Sequence, residues 1–342
     1  MRISGRDIMS SIRKLRRSCW MELKRVFTAV YCSCYYCSLL FYYSSESSQL
    51  NSTQLNSTHP SPQSHLISPP LPGTHSLTMT TFKHLKAIGE NFWNLRSSLV
   101  MFKFIDIGTH MSFIRLSTGK FLVLDCIDLS NKSVKREVDE LTENGNLIEA
   151  VLGVHPYHTL FFPAFQKLYP NATYYGTPRH LRNFSDMNWA GCLGDEATRG
   201  LWEQEGVFMR IPEGAEFEFA PAEDVHFSSV VVFHAPSKTI HVDDTFQYFH
   251  GAGWILRLLG KKDNLMEFWP LEKGLNHTSE APHQFKEWVE RLIEDWDFDN
   301  MCAAHNNTKI GDAKKLLQAA LVRAQPEFDR LSAKWKTSTD KK

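Results

Sequence analysis

Six side chains, His155, His158, His226, Asp243, Asp244 and His305, stand beside the ends of apolar, strand-like runs in this sequence. Imidazole and carboxylate are the ligand types that a divalent zinc or iron ion takes, and a catalytic site needs about three protein ligands with one position left for water. Residues that leave strand ends together converge at one edge of a sheet. An ion held there acidifies water and polarises a carbonyl or phosphoryl oxygen, which is chemistry suited to an ester, thioester, amide or phosphodiester. Asp243 and Asp244 are the candidate catalytic carboxylates, to hold that water or move its proton. Without a metal, His155 and His158 would hydrogen-bond within a loop, and His226 would be a surface strand residue.

The elements that must position these residues are legible in outline. Ser112 to Leu116 and Lys120 to Asp125 flank Ser-Thr-Gly, a hairpin signal. Residues 133–143 put Val134, Val138 and Leu141 on one helical face, with Gly145 at the expected stop. Leu147 to Val154 reads as a buried central strand that delivers His155 and His158. Pro163 opens a short helix that Pro170 closes, and Tyr174 to Gly176 is the next strand. Residues 180–212 show no period and read as a long loop with a helix near Glu196 to Glu205. Strands are expected at Glu216 to Phe219, Ser229 to Phe233 and Thr239 to Val242, the last ending at the two aspartates. Helix 284–296 carries Phe285, Trp288, Val289, Leu292, Ile293 and Trp296 on one face. A strand from Phe298 to Ala304 leads to His305, and a last helix starts near Asp312. This order predicts a layered α/β or α+β domain.

The hairpin, the strand ending "VLGVHPYH", the segment "VHFSSVVVFHAPSKTIHVDDTF" and the closing "MCAAH" together resemble the landmarks of the metallo-β-lactamase-like hydrolase superfamily. The resemblance runs over residues 100–325. It implies a four-layer αββα sandwich, α/β (α+β) in class, and we place that domain at residues 95–335. The superfamily motif H-x-H-x-D-H is degenerate here: with His155 on its first position, Tyr157, Thr159 and Leu160 replace the other three. Val225 stands where a glycine precedes His226, whereas Asp244 matches the bridging carboxylate and His305 the terminal histidine. The resemblance therefore implies one zinc or iron ion, or none, with His155, His158, His226, Asp244 and His305 as candidate metal ligands. The segments "YHTLFFPAFQKLYPNA", "FHAPSKTIHVDD" and "WDFDNMCAAH" are similar to a divergent lactamase-like family of cyanobacteria and plants whose activity is not established. That match puts His158, rather than His155, on the ligand position, alongside His234, Asp244 and His305. Two functions are consistent with these residues: a metal-dependent hydrolase of a small-molecule substrate, or a non-catalytic lactamase-like domain that binds a ligand or protein partner.

Composition narrows the field. The 342 residues hold 38 basic and 38 acidic side chains, so the electrostatic footprint of a nucleic-acid binder is missing. Residues 1–78 carry 8 basic and 3 acidic side chains, against 30 and 35 in the remainder. Residues 1–43 read as a basic and hydrophobic leader whose uncharged run, 26–43, is short for a membrane span: a signal anchor, a weak signal peptide or a misassigned first exon. Residues 44–78, rich in Ser, Pro and Asn, read as a disordered linker, and Met79 is an alternative start. Cys126, Cys192 and Cys302 in the body form no disulfide framework. A cytoplasmic location is expected, or a membrane-anchored one where the leader is translated. Gly251 to Gly253 lacks the rest of a dinucleotide fingerprint, and no Gly-x-Ser-x-Gly supports a serine hydrolase.

Overall fold

The computed structural model describes residues 82–98, 100–101, 105–106, 108–217, 227–251, 262–268, 270–305 and 307–339. The leader, the linker and His226 lie outside the described residues. Among the described residues, no helix is long and apolar enough to cross a membrane.

Alternation of side chains along the strands dictates the layers. The first sheet contains β1 (Leu85–Gly89), β2 (Phe92–Ser97), β3 (Thr109–Arg115), β4 (Phe121–Leu124), β5 (Ile148–Leu152), β6 (Thr173–Gly176) and β7 (Trp189–Cys192), in that spatial order. The expected hairpin is the antiparallel pair β3–β4, and β4 to β7 are parallel neighbours. Parallel strands need crossovers, which α1 (Lys132–Thr142), α2 (Phe162–Leu168) and α3 (Pro178–Asn183) supply. On β3 and β4, Met111, Phe113, Phe121 and Val123 join Val134, Val138 and Phe165 in a core on the outer face. Ile114, Leu122 and Leu124 point the other way, into a second core shared with the other sheet.

That other sheet contains β8 (Val207–Arg210), β9 (Val231–His234), β10 (Thr239–Val242), β11 (Asn300–Ala303) and β12 (Thr308–Lys309). β10 and β11 are parallel, so both strands end on the same side of the molecule. Val232 and Cys302 face the first sheet. Ile240, Val242 and Met301 face outward, onto α4 (Ala281–Asp295) and α5 (Ala313–Thr339). Within α4, Phe285, Trp288, Val289, Leu292 and Ile293 are buried, as the helical spacing predicts. Each such side chain contributes about 1.5–3 kcal/mol of apolar burial. The order of layers is helix, sheet, sheet, helix, which is the expected αββα sandwich.

Residues 180–212 show helical turns where a helix near Glu196 to Glu205 is expected, but they also hold strands in place of the expected loop. They hold the end of α3, strand β7, short helical turns at Glu196–Arg199 and Gly200–Glu205, and strand β8. Four- to six-residue elements are too short for a hydrophobic period to show. Glu216 and Phe217 form no strand, although Ala215 bridges to Leu275.

Candidate metal centre

Every functional side chain leaves the C-terminal end of a strand at the same edge of the sandwich, where α/β sheets place their ligands. Asp125 follows β4, His155 and His158 follow β5, Asp243 and Asp244 follow β10, and His305 follows β11. Asp125 takes a left-handed backbone, φ 59°, which an aspartate tolerates, and its Oδ1 accepts the Val154 N–H at 3.0 Å. Gly153 lets β5 pass close to α3: a Cβ there would lie 2.6 Å from His180 Nε2 and 2.9 Å from Phe162 Cζ. Arg96 ties the sheets together by donating to the carbonyls of Ala303 and Ala304 at 2.7 and 3.0 Å, just before His305.

The structure brings together His155, His158, Asp243, Asp244 and His305. His155 Nε2 lies 3.3 Å from Asp244 Oδ2, and His305 Nε2 lies 3.2 Å from Asp244 Oδ1. His158 stands between the two aspartates, its Nδ1 3.3 Å from Asp243 Oδ1 and its Nε2 3.8 Å from Asp244 Oδ2. The rings of His155 and His158 stack at 4.0 Å. Ligand atoms of His155, His158 and Asp244 all fall within 4.8 Å of one another. His158 is the partly exposed member, its side chain 19% accessible, so this set forms the rim. Leu160 is 44% exposed, and the Tyr157 ring lies 5.7 Å from the His155 ring with the Arg179 guanidinium over it.

Hydrogen-bond direction tests whether these residues fit a cation. His305 Nδ1 lies 2.8 Å from the Gly108 carbonyl, which only accepts, so the ring proton sits on Nδ1 and the Nε2 lone pair faces Asp244. Asp244 Oδ1 accepts no hydrogen bond from the described residues. Two facing acceptors 3.2 Å apart call for a cation between them. His155 is different: its Nδ1 accepts the Tyr157 N–H at 3.1 Å, which leaves its proton on Nε2, toward Asp244. His155 Nε2 stands beside the carboxylate, and His155, His158 and Asp244 are the rim set whose donor atoms all lie within 4.8 Å of one another.

Charge and burial set the protonation states. Burial draws His158 down, but the carboxylates of Asp243, Asp244 and Asp125 outweigh it and hold its pKa at about 9. Burial pushes Asp244 up, yet the His305 and His155 imidazoles hold it below the usual carboxylate range. For Asp243, His158 and His110 outweigh burial in the same way. Burial lowers His305, despite the attraction of Asp244.

Three residues of the neighbourhood were not singled out from the sequence: His110 on β3, His241 on β10, and Asp125. His110 Nε2 is 3.3 Å from Asp243 Oδ1, and His241 Nε2 is 3.3 Å from Asp125 Oδ2. The available signal was alternation, because His110 and His241 occupy the inward positions of strands whose outward positions are apolar. His234 sits at the opposite end of the β9–β10 pair, where its Nδ1 lies 2.8 Å from Ser237 Oγ in the connecting turn.

No protein-family model matches the chain, and no curated protein matches it. Among solved structures, the metallo-β-lactamase from Hirschia baltica is 14% identical, covering 70% of this chain and 95% of its own, with a TM-score of 0.47. The enzyme from Pontibacter korlensis is 12% identical, covering 70% and 98%, with a TM-score of 0.47. The mono-zinc form of FIM-1 from Pseudomonas aeruginosa is 10% identical, covering 70% and 95%, with a TM-score of 0.46. The four layers, and the histidines and aspartates gathered at one sheet edge, match the expected architecture. The fold is the four-layer αββα sandwich that the sequence resemblance implies. A buried His/Asp cluster compatible with metal stands at that edge in place of an intact H-x-H-x-D-H motif.

Proposed function

We propose that the protein is a metal-dependent hydrolase with one catalytic ion at the rim, held by His158, Asp244 and His305. The observation that carries this reading is the His305 Nε2 lone pair facing an Asp244 oxygen that accepts no hydrogen bond from the described residues. When bound, a zinc-like ion supplies Lewis acidity and lowers the pKa of water to about 7. The chain's own residues fix the geometry. Gly108 sets the His305 tautomer, His155 braces Asp244 Oδ2, and the exposed side of His158 leaves an approach for substrate. Asp244 is the rim carboxylate that faces the ion, while Asp243 turns toward the interior, 3.3 Å from both His110 and His158. Esters, thioesters, amides and phosphodiesters are the substrate classes that this chemistry serves.

The test is a hydrolysis panel of those four classes, run with the full zinc-loaded chain and its Asp244→Asn variant. Turnover of one class that is lost in the variant supports the reading. An ion-loaded protein that turns over none of them overturns it in favour of a ligand-binding domain on the same fold.

A further inference from the structure

We propose that His110, Asp125, His241 and Asp243 form a second, closed metal site inside the sandwich, which takes one divalent ion of the zinc type in a structural role. The site goes beyond the rim set on which the proposed hydrolysis rests, and the motif positions compared in the sequence include none of its four residues as ligands. One donor atom from each of the four lies within 4.8 Å of the others, and all four residues are buried.

The donors meet in two pairs, His110 Nε2 with Asp243 Oδ1 and His241 Nε2 with Asp125 Oδ2, each at 3.3 Å. A charge-assisted hydrogen bond closes to about 2.7–2.9 Å. Ligands at about 2.0–2.1 Å from a tetrahedral zinc ion instead stand about 3.3 Å from each other. Asp243 is 1% exposed, yet its Oδ2 accepts no hydrogen bond from the described residues. Two carboxylates share this dry space, and isolated buried charge is costly. One divalent cation between two neutral imidazoles and two carboxylates brings the set to zero net charge.

The supporting contacts have the form that ligating side chains require. Asp125 Oδ1 is occupied by the Val154 N–H, which leaves Oδ2 for the ion. Ser112 Oγ lies 2.9 Å from His241 Nδ1, and Asn94 Nδ2 lies 3.3 Å from His110 Nδ1. Such partners on the far ring nitrogens orient ligating histidines. Ligation through Nε2 leaves the proton on Nδ1, so loading requires the Asn94 amide to turn over from the orientation in which Nδ2 donates to Ser112 Oγ and the Met111 carbonyl. Four protein donors complete a tetrahedron and leave no position for water, which makes the role structural.

The experiment counts zinc by elemental mass spectrometry in the full chain, after chelator treatment and dialysis against excess Zn²⁺. We expect two ions per chain in the wild type and one in each of Asp125→Asn, His241→Ala and Asp244→Asn. Asp125→Asn keeps the side-chain shape and the oxygen facing Val154, so it reads out the inner site even where His241→Ala fails to fold. A single wild-type ion that is lost in Asp244→Asn and kept in Asp125→Asn overturns the inner site and leaves the rim reading standing. A single ion with the opposite dependence upholds the inner site and overturns the rim reading. Two ions retained in Asp125→Asn, or none in the wild type, also overturn the inner site.

Discussion

The rim and the interior of this molecule use the same two side-chain types for different ends. At the rim, His155, His158, Asp244 and His305 come from loops after strands, and His158 reaches solvent. In the interior, His110 and His241 sit on strands, their rings stacked 4.2 Å apart and 10° from parallel, with no exposed edge. Loop residues are positioned by strand ends and remain approachable, whereas strand residues are locked by the pleat on both sides. The contrast teaches that imidazole and carboxylate in one fold divide into a set that solvent reaches through His158 and a sealed set between the two sheets.

The largest effect expected to separate the two sets is on folding. His241→Ala leaves Asp125 without its imidazole in the core, so denaturant unfolding should show a loss of about 3–5 kcal/mol. His158→Ala, at the rim, should cost less than half as much, and equal losses would erase the distinction. Activity should report the reverse ranking. Asp244→Asn should lower kcat/KM at least about a hundredfold, a loss larger than its fall in thermal stability accounts for. A variant that melts early and loses activity in proportion would assign Asp244 to structure instead.

Smaller effects sharpen the picture. Gly153→Ala forces a methyl against His180 and Phe162 beneath the β5 loop, and should cost about 1–3 kcal/mol in equilibrium unfolding. In chelator-treated protein, His158 has its pKa raised to about 9, so its contribution is complete below about pH 6.5 and fades as pH rises through 9. Asp244, held low, contributes above about pH 4 and loses its share as acid protonates it. The melting temperature without metal should therefore peak between about pH 4 and 6.5 and decline toward pH 9. A flat profile from 6.5 to 9 would show that His158 carries no charge between the two aspartates.

Much of the fold was legible because its core is periodic. The β3–β4 hairpin followed from two apolar runs around Ser-Thr-Gly, the strand before His155 from a continuous apolar run, and the face of α4 from helical spacing. Among the candidate ligands, His155, His158 and His305 lie within 3.8 Å of Asp244, while His226 falls outside the described residues. The segment 180–212 was opaque because its elements are single turns and four-residue strands. Alternation marks His110 and His241 as facing away from the apolar side of their strands, but it does not show that the two face each other. Their meaning depends on which faces two sheets turn toward each other, and that depends on contacts between residues such as Ser112 and His241, 129 positions apart.

The Arg96 clamp carries a kinetic consequence. Its partners, the carbonyls of Ala303 and Ala304, are 207 and 208 residues further along the chain. The guanidinium closes the N-terminal hairpin onto the strand that presents His305, so the rim is assembled from opposite ends of the described sequence. Contacts of such separation form late, because loop-closure entropy must be overcome before they reward the chain. A nascent or partly refolded chain can have its central strand and α1 in place while His305 is still absent from the site. Competence for chemistry should then appear after most of the secondary structure, as one of the last steps of folding.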